Sequence, residues 1–494
     1  MYSSSLQLLA HNCIIVACDL AMASSPDEEP QQRELFAALV AALEDSRVLE
    51  HTARAVLLHT CNTRALRALM PHSVLVAARG HVDLWRLHVC WSYDAEDADA
   101  VRIAARLRAV ASGRCVQHAA RCMGLAVLCD ADGGSAYGLP PEVLALLHTE
   151  QSPAGGEMSD DAVMQLRAMA CMMQLGDPAP PGRRGALALA MRVGWLAVAS
   201  ARARAAGEGG GGGGASSSSG ALPPAVVAAP RPRRSVPQEA VVPLAADALR
   251  AAWHYLALPR AVAQAVSAAA VAEAADWWRL AAAVVDRAAP CSTGDAGRPD
   301  LLSLGDRLAV AWGLPPDCVV LSLPAEPPPT LAAALDGGLL RCLERLMRRA
   351  GRYPQRPEAT LLQRLVQRVR QSQSVWSYLA PLLAYGEPRQ AAALLATLRK
   401  LLRTVDSRAL GAEDLDPEAN LHDCILTTIS DVLAAVVEQE EELAAAAAPG
   451  AEPPSPASQQ LLGLVSCAAC EWLPELSQSL SQLLLSNGMA SPGR

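Results

Sequence analysis

Apolar residues recur with a helical period through most of this chain. In Leu361–Gln371 the apolar side chains form one stripe, and Arg364 and Arg368 lie on the opposite side. Strand-like patterns are few. Leu125–Leu128 and Val319–Leu323 are short candidates, and both also fit helix ends or packed turns. The pattern therefore predicts an all-α protein.

Glycine, serine and proline interrupt this helical pattern at two main places. Residues 207–237 contain a glycine run, then serines, then a Pro/Arg segment, which cannot bury a core and predicts a flexible linker. Residues 444–458 form an Ala/Pro/Glu-rich spacer. The predicted organisation is an N-terminal helical lobe (1–206), a disordered linker (207–237), a C-terminal helical-repeat lobe (238–443), a flexible spacer (444–458), and a terminal helix and tail (459–494).

Three segments share a layout of a short apolar helix, a turn and a second amphipathic helix. They are Leu35–Cys61, Leu331–Gly351 and Trp376–Leu402. This layout resembles armadillo/HEAT-type α-solenoid repeats, most clearly over 331–405. The resemblance implies a non-catalytic protein-interaction or scaffold role, with a concave groove built from 331–442. No fixed period runs through the chain, so an irregular helical repeat and a plain helical bundle both fit.

Composition narrows the classes of function. The chain of 494 residues has a single lysine, Lys400, so the other 41 basic residues are arginine, a bias typical of a GC-rich genome. Lys400 lies mid-helix and is followed by Leu401, which excludes a P-loop, and its setting is unsuited to a kinase or Schiff-base lysine. The sequence also lacks GxSxG and HExxH motifs. We therefore expect neither an enzyme nor a bound cofactor.

Several motifs that suggest metal or redox chemistry have plainer interpretations. Asp130–Ser135 begins like a calcium loop, but Ser135 and Pro141 occupy positions that need glycine and glutamate, which favours a helix end. A soft-ligand set on one helical face has no second cluster to complete it, so we interpret it as core-facing cysteines. Its members are Cys115, His118, Cys122 and Cys129.

The cysteines and histidines give no clear catalytic pattern. Cys467 and Cys470 form the single CxxC motif, and it lies inside a helical pattern, which favours a structural pair. The fourteen cysteines lack the spacing of a secreted disulfide framework and read as reduced, buried residues, such as Cys171. An enzymatic function would be supported if four polar residues lay close together in the folded protein: Glu50, His51, Cys61 and Asp94. His59, His81 and His88 are expected to be surface or satisfied helix residues.

Charge distribution gives the one functional signal. Residues 341–408 carry fourteen basic and four acidic residues, a net charge of +10, and residues 413–442 carry ten acidic residues and no basic one. The basic segment could bind an acidic protein partner, RNA phosphates, or only the acidic segment that follows. A protein without a stable partner also fits. The predicted contact residues are Arg345, Arg349, Arg364, Arg368 and Arg399.

The remaining features bear on location and packing. Leu6–Ala23 is apolar but lacks the basic start of a signal peptide, and Gly185–Ala205, the best span candidate, contains three arginines. We therefore expect an intracellular protein, cytoplasmic or nuclear, without a membrane span. Oligomeric state is left open. The pair Trp277-Trp278 is expected to anchor a helix–helix contact.

Overall fold

The regular structure of this chain is helical. A computed structural model describes residues 29–62, 79–85, 88, 98–139, 156–175, 182–208, 232–257, 266–292, 297–314, 323–372, 374–402, 455–468 and 470–472. Across these residues the backbone forms α-helices, short 3₁₀ and π turns, and one isolated parallel bridge between Glu157 and Ser235. The all-α prediction is confirmed. The chain divides into two compact units, Met1–Tyr255 and Leu256–Arg494.

The first unit is built from seven labelled helices and a short helical segment, 79–85. The helices are α1 (Glu29–Ser46), α2 (Val48–Asn62), α3 (Ala98–Ala111), α4 (Arg114–Asp132), α5 (Asp160–Leu175), α6 (Gly182–Glu208) and α7 (Gln238–Tyr255). The α1–α2 turn lies at Arg47, whose φ is 48°. The strand candidate Leu125–Leu128 lies inside α4, where all four side chains are buried.

Helix α4 is the central element of the first unit. It packs against α2 and α5, and its middle two turns are buried throughout. The Glu50 carboxylate of α2 accepts hydrogen bonds from the α4 backbone at Cys115 N (3.0 Å) and Val116 N (3.3 Å). These are two of the amide groups that a helix start leaves unpaired, so Glu50 caps α4. Burial opposes the charge of Glu50, but these amides outweigh it and lower its pKa.

Helix α7 belongs to the first unit. Its position after the glycine-rich linker predicted that it belongs to the C-terminal lobe, but it packs against α5 and α6. Its Asp247 is fully buried and pairs with Arg167 of α5 at 2.7 Å and with Arg250 one turn away. Residues 232–237 also lie here, because Val236 N donates to Ser200 Oγ of α6 at 2.9 Å. The rest of the predicted linker, 209–231, lies outside the described residues.

Helix α6 is the long apolar helix of the described chain. By length and composition Gly182–Ala206 could cross a membrane, and it is the single described helix that passes this test. It packs along α7, and 61% of its most apolar window is buried within the protein. Its arginines are also engaged: Arg192 forms an ion pair with Asp132, with Nε 2.5 Å from Oδ2. This packing is that of a core helix.

The second unit contains seven labelled helices and a terminal helical segment, 456–472, of which residue 469 is not described. The helices are α8 (Ala268–Ala283), α9 (Arg298–Leu308), α10 (Pro329–Asp336), α11 (Leu339–Arg352), α12 (Pro357–Ser372), α13 (Val375–Tyr385) and α14 (Pro388–Leu402). A π turn, Val284–Ala288, continues α8. The predicted helix–turn–helix layouts over 331–351 and 376–402 are confirmed as α10–α11 and α13–α14.

Helices α8, α11 and α14 form a row of parallel helices. Between α8 and α11, Ala282 O lies opposite Cys342 Sγ, and Asp286, just after α8, lies opposite Arg345. Residue numbers rise in the same direction along both helices, so the two helices are parallel. These pairs are 60 and 59 residues apart, and the pair Asp306–Arg364, which joins α9 to α12, is 58 apart. From α11 to α14 the offset falls to 53. Unequal offsets explain why the sequence shows no fixed period.

An aromatic cluster joins α8, α13 and the segment that follows α9. The ring centroids of Trp277 and Trp278 are 4.9 Å apart, those of Trp278 and Trp312 are 6.0 Å apart, and those of Trp312 and Tyr378 are 5.2 Å apart. Trp312 Nε1 donates to Tyr378 O (2.8 Å), and the Tyr378 hydroxyl donates to Leu308 O (2.9 Å). All four rings are buried. The prediction that Trp277-Trp278 is a packing anchor is confirmed.

Candidate functional site

Two of the predicted contact arginines lie between helices. Arg345 and Arg349 of α11 both bind Asp286 of the π turn: Arg345 Nη1 is 2.7 Å from Oδ2, and Arg349 Nη2 contacts Oδ1. Arg349 also donates to the backbone oxygen of Asp286 at 3.0 Å. Their side chains are about one third exposed. Asp286 therefore links both guanidinium groups of α11 to the π turn that continues α8.

The other three predicted arginines also have partners within the chain. Arg364 of α12 makes two hydrogen bonds to the Asp306 carboxylate of α9, at 2.7 and 3.2 Å. Arg399 of α14 pairs with Glu471 at 2.7 Å, and Arg368 donates to Gln371 Oε1 at 2.9 Å. Asp286, Asp306 and Glu471 all lie outside 341–408. The net charge of that segment therefore overstates the charge that the folded surface presents.

A different set of cations is exposed to solvent on one side of the row formed by α8, α11 and α14. On α11, Glu344 faces α14 and Arg345 faces α8, and helical geometry places Arg341, Arg348 and Arg352 between these two directions. On α14, Thr397 faces α11, and the same helical geometry places Arg389 and Lys400 on the side of the row that carries the three α11 arginines. We call these five residues the outer basic face: Arg341, Arg348, Arg352, Arg389 and Lys400.

The surroundings of the outer basic face are small or charged. Three exposed alanines of α14, Ala392, Ala393 and Ala396, lie between its two cations. The nearest carboxylate on α11 is Glu344, which accepts a hydrogen bond from Thr397 (3.0 Å) and lies 3.5 Å from Arg348. The face is therefore flat and cationic.

Aromatic side chains in the described part of the second unit are mainly buried. Tyr353, 45% exposed, is the large exposed one there, and Arg356 stacks on its ring at 4.3 Å. Trp376 is 8% exposed, and the Tyr385 hydroxyl donates to Pro324 O at 2.5 Å. A surface that binds single-stranded RNA combines cations with several stacking rings. The described part of this unit offers one exposed ring, that of Tyr353.

The calcium-loop candidate is a helix end. Helix α4 stops at Asp132, and Gly133 follows in the left-handed conformation (φ 69°) and donates to Cys129 O, as in a glycine C-cap. The acids are held by arginines: Asp132 by Arg192, and Asp130 by Arg234 at 2.7 Å. The prediction of a helix C-terminus is confirmed.

Three members of the cysteine and histidine set on α4, Cys115, His118 and Cys122, line a cavity that sequence reasoning missed. His118 Nε2 is 3.6 Å from Cys122 Sγ, and the described residues contain no group of three ligands arranged to hold a metal ion. Burial raises the pKa of both the Cys115 and the Cys129 thiols. The cavity has a volume of about 850 Å³. The sequence feature that could have indicated this cavity is the alternation of Arg114 and Arg121 with the cysteine and histidine residues of α4.

The structure describes two members of the polar set whose convergence would support an enzyme, Glu50 and His51. Glu50 is committed to capping α4, and His51 is exposed. Asp94 and the side chain of Cys61 lie outside the described residues, as does the side chain of His59. His81 is buried, and His88 is half-buried with Nδ1 3.1 Å from Ala104 O; burial lowers its pKa.

The other cysteines divide by environment. Cys171 and Cys342 are buried, as expected for small apolar residues. Burial raises the pKa of the Cys342 thiol well above its usual value. Cys467 and Cys470 lie on a helix, as predicted, but both are exposed. All the cysteines among the described side chains are free thiols.

Comparison with known proteins adds no relative. No protein-family model matches this chain. A search of curated proteins finds no significant match. The class of protein is therefore defined by the fold alone: an all-helical protein whose second unit contains a row of stacked parallel helices.

Proposed function

We propose that this protein is a non-catalytic interaction scaffold, and that the second unit is an armadillo/HEAT-like helical repeat. The observation that carries the proposal is the parallel row α8–α11–α14, in which facing residues of successive helices are 53 to 60 residues apart. A stack of this kind is characteristic of solenoids, whose extended surfaces bind other proteins. A closed helical bundle instead alternates neighbouring helices up and down.

The outer basic face is the partner surface in this proposal. Its five cations are exposed, whereas four of the five arginines that the sequence favoured are tied to Asp286, Asp306 or Glu471. An acidic protein segment lying across α11 and α14 would meet Arg348, Arg352 and Lys400 without breaking these internal pairs. RNA is the second candidate, and the single exposed ring beside this face favours protein over RNA.

Charge reversal on the face tests the proposal. The test variant is Arg348→Glu with Arg352→Glu; the matched control is Arg54→Glu with Arg102→Glu, two exposed arginines of the first unit. The probes are fluorescent poly-glutamate and poly-uridine, titrated at several salt concentrations. We expect salt-sensitive binding of poly-glutamate that the test variant loses and the control retains.

Affinity purification from cells, with and without nuclease, provides the second readout. A stoichiometric protein partner that resists nuclease and disappears with the test variant supports a scaffold. Tighter binding of poly-uridine, together with nuclease-sensitive recovery of ribonucleoproteins, would replace the scaffold with RNA binding. Equal binding by the test and control variants would reject the outer basic face as the partner surface.

A further inference from the structure

The cavity along α4 combines an apolar wall with a line of nitrogen-bearing side chains. Its volume of about 850 Å³ lies within the range of small-molecule sites, roughly 300–1,000 Å³. Leu125 and Leu189, 5% and 2% exposed, form part of the wall, together with Leu57 of α2 and Leu139 beyond α4. These residues offer a ligand an apolar surface that water covers poorly.

The polar side of the cavity is one face of a single helix. Arg114, His118 and Arg121 all line it, and their spacing along α4 places them within about 10 Å of one another at 1.5 Å per residue. Arg114 and His118 are exposed at the mouth, whereas Arg121 is 7% exposed. A guanidinium group does not lose its proton in proteins, so both arginines remain cationic at neutral pH. The described lining contains no aspartate or glutamate, and the Glu50 carboxylate, which contacts the lining residue Cys115, is occupied by the backbone amides of Cys115 and Val116.

A buried acceptor also lines the cavity. Gln117 is 4% exposed, and its Nε2 donates to Ala111 O at 3.1 Å and to Met172 O at 2.8 Å, which fixes the amide orientation. Its Oε1 receives no hydrogen bond from the described residues. An unsatisfied buried acceptor costs stability, so a ligand hydroxyl that donates to it would be favoured.

We propose that this cavity binds a small amphipathic carboxylate, with its carboxylate at Arg114, His118 and Arg121 and its apolar part against the leucine wall. Charge complementarity selects the anion, because carboxylate–guanidinium hydrogen bonds are charge-assisted. The leucines select an apolar body rather than a free inorganic anion. Gln117 further favours a hydroxylated member of the class. This site is independent of the outer basic face and lies entirely within the first unit.

Dye displacement on the full-length protein tests the proposal. The dye is 1-anilinonaphthalene-8-sulfonate, itself an amphipathic anion, and the competitors are dodecanoate, 3-hydroxydodecanoate, whose hydroxyl lies near its carboxylate as Gln117 lies near the arginines, and the neutral methyl dodecanoate. We expect saturable one-site displacement by both acids, with the hydroxy acid binding more tightly than dodecanoate and both binding more tightly than inorganic phosphate. Affinity for the ester should be at least roughly tenfold weaker, as loss of a charge-assisted contact predicts.

Matched variants locate the site. Arg114→Gln changes an exposed cavity residue, and Arg102→Gln changes an exposed arginine of α3 outside the cavity. Arg114→Gln should weaken dodecanoate binding roughly tenfold, while Arg102→Gln should leave it unchanged, with both melting temperatures near that of the wild type. Hydrogen exchange of 114–125 should slow when dodecanoate binds. Absence of saturable binding, equal affinity for acid and ester, or equal effects of the two variants would overturn the proposal.

Discussion

The buried carboxylate of Asp247 gives the sharpest stability prediction. Its side chain is 0% exposed and lies against two guanidinium groups, those of Arg167 (11% exposed) and Arg250 (9% exposed). Arg250 also stacks on the Trp85 ring at 4.2 Å. The substitution Asp247→Asn keeps the shape and one acceptor oxygen but removes the charge. Both guanidinium groups then lose the negative charge of Asp247.

The magnitude follows from this geometry. Each guanidinium–carboxylate attraction is about 4 kcal/mol at an effective dielectric of about 20, and the cost of burying the carboxylate offsets part of it. Breaking a buried pair by removing one partner typically costs about 3–5 kcal/mol. We therefore expect Asp247→Asn to lower the free energy of unfolding by about 3–5 kcal/mol.

Urea denaturation followed by far-UV circular dichroism measures this loss. The matched control is Asp276→Asn, because Asp276 pairs with Arg279 at the same spacing of three residues but is 63% exposed. The control should stay within about 0.5 kcal/mol of the wild type, since exposed pairs contribute little. Similar small losses for both variants would refute the reasoning, because burial is the difference between them.

The pH dependence of this loss has a definite sign. Burial opposes ionisation of Asp247, but Arg167 and Arg250 outweigh it, so the folded-state pKa is lowered. A carboxylate of this kind stabilises the protein above its unfolded pKa, about 3.9, and the stabilisation is lost as pH falls through the lower folded pKa. The gap between wild type and Asp247→Asn should therefore be constant near neutral pH and shrink in strong acid.

Three further predictions concern single contacts. Gly337→Ala places a Cβ against Trp278 Cβ, so thermal unfolding should show a loss of about 1–3 kcal/mol, and Gly337→Ser should be no better. Glu50→Gln should cost about 1 kcal/mol in urea denaturation at neutral pH, and this cost should vanish as acid protonates the wild-type cap through its lowered pKa. Tyr378→Phe removes the hydroxyl donor to Leu308 O, which keeps a second donor in Val310 N (3.0 Å), so guanidinium denaturation should show a loss of about 0.5–1.5 kcal/mol; no change would argue against the hydroxyl hydrogen bond.

The helical layout could be predicted because its signals are local. The turn between α10 and α11 lies at Gly337-Gly338, and Gly338 has a φ of 84°, a conformation that glycine adopts readily. Proline and glycine likewise separate α13 from α14. The burial of Trp277 also follows from a local pattern. Such signals require knowledge of only a few neighbouring residues.

The candidate site could not be predicted residue by residue because ion pairing is not local. Arg345, Arg349 and Arg364 looked like free surface charges, but their partners Asp286 and Asp306 lie nearly 60 residues earlier in the chain. Nothing near the arginines marks those two acids as partners. The position of α7 was missed for a similar reason, since Arg167 lies 80 residues before Asp247.

The parallel row of helices has a mechanical consequence. Each helix of the row contacts its neighbours, so a force applied along the row is transmitted from α8 to α11 and then to α14. The ion pairs at Asp286 and the contact between Glu344 and Thr397 lie at these two interfaces and resist sliding. Under tension such a row would yield at its helix–helix interfaces, because the stability of stacked elements is largely a sum of nearest-neighbour terms. It could therefore lengthen while its individual helices remain intact.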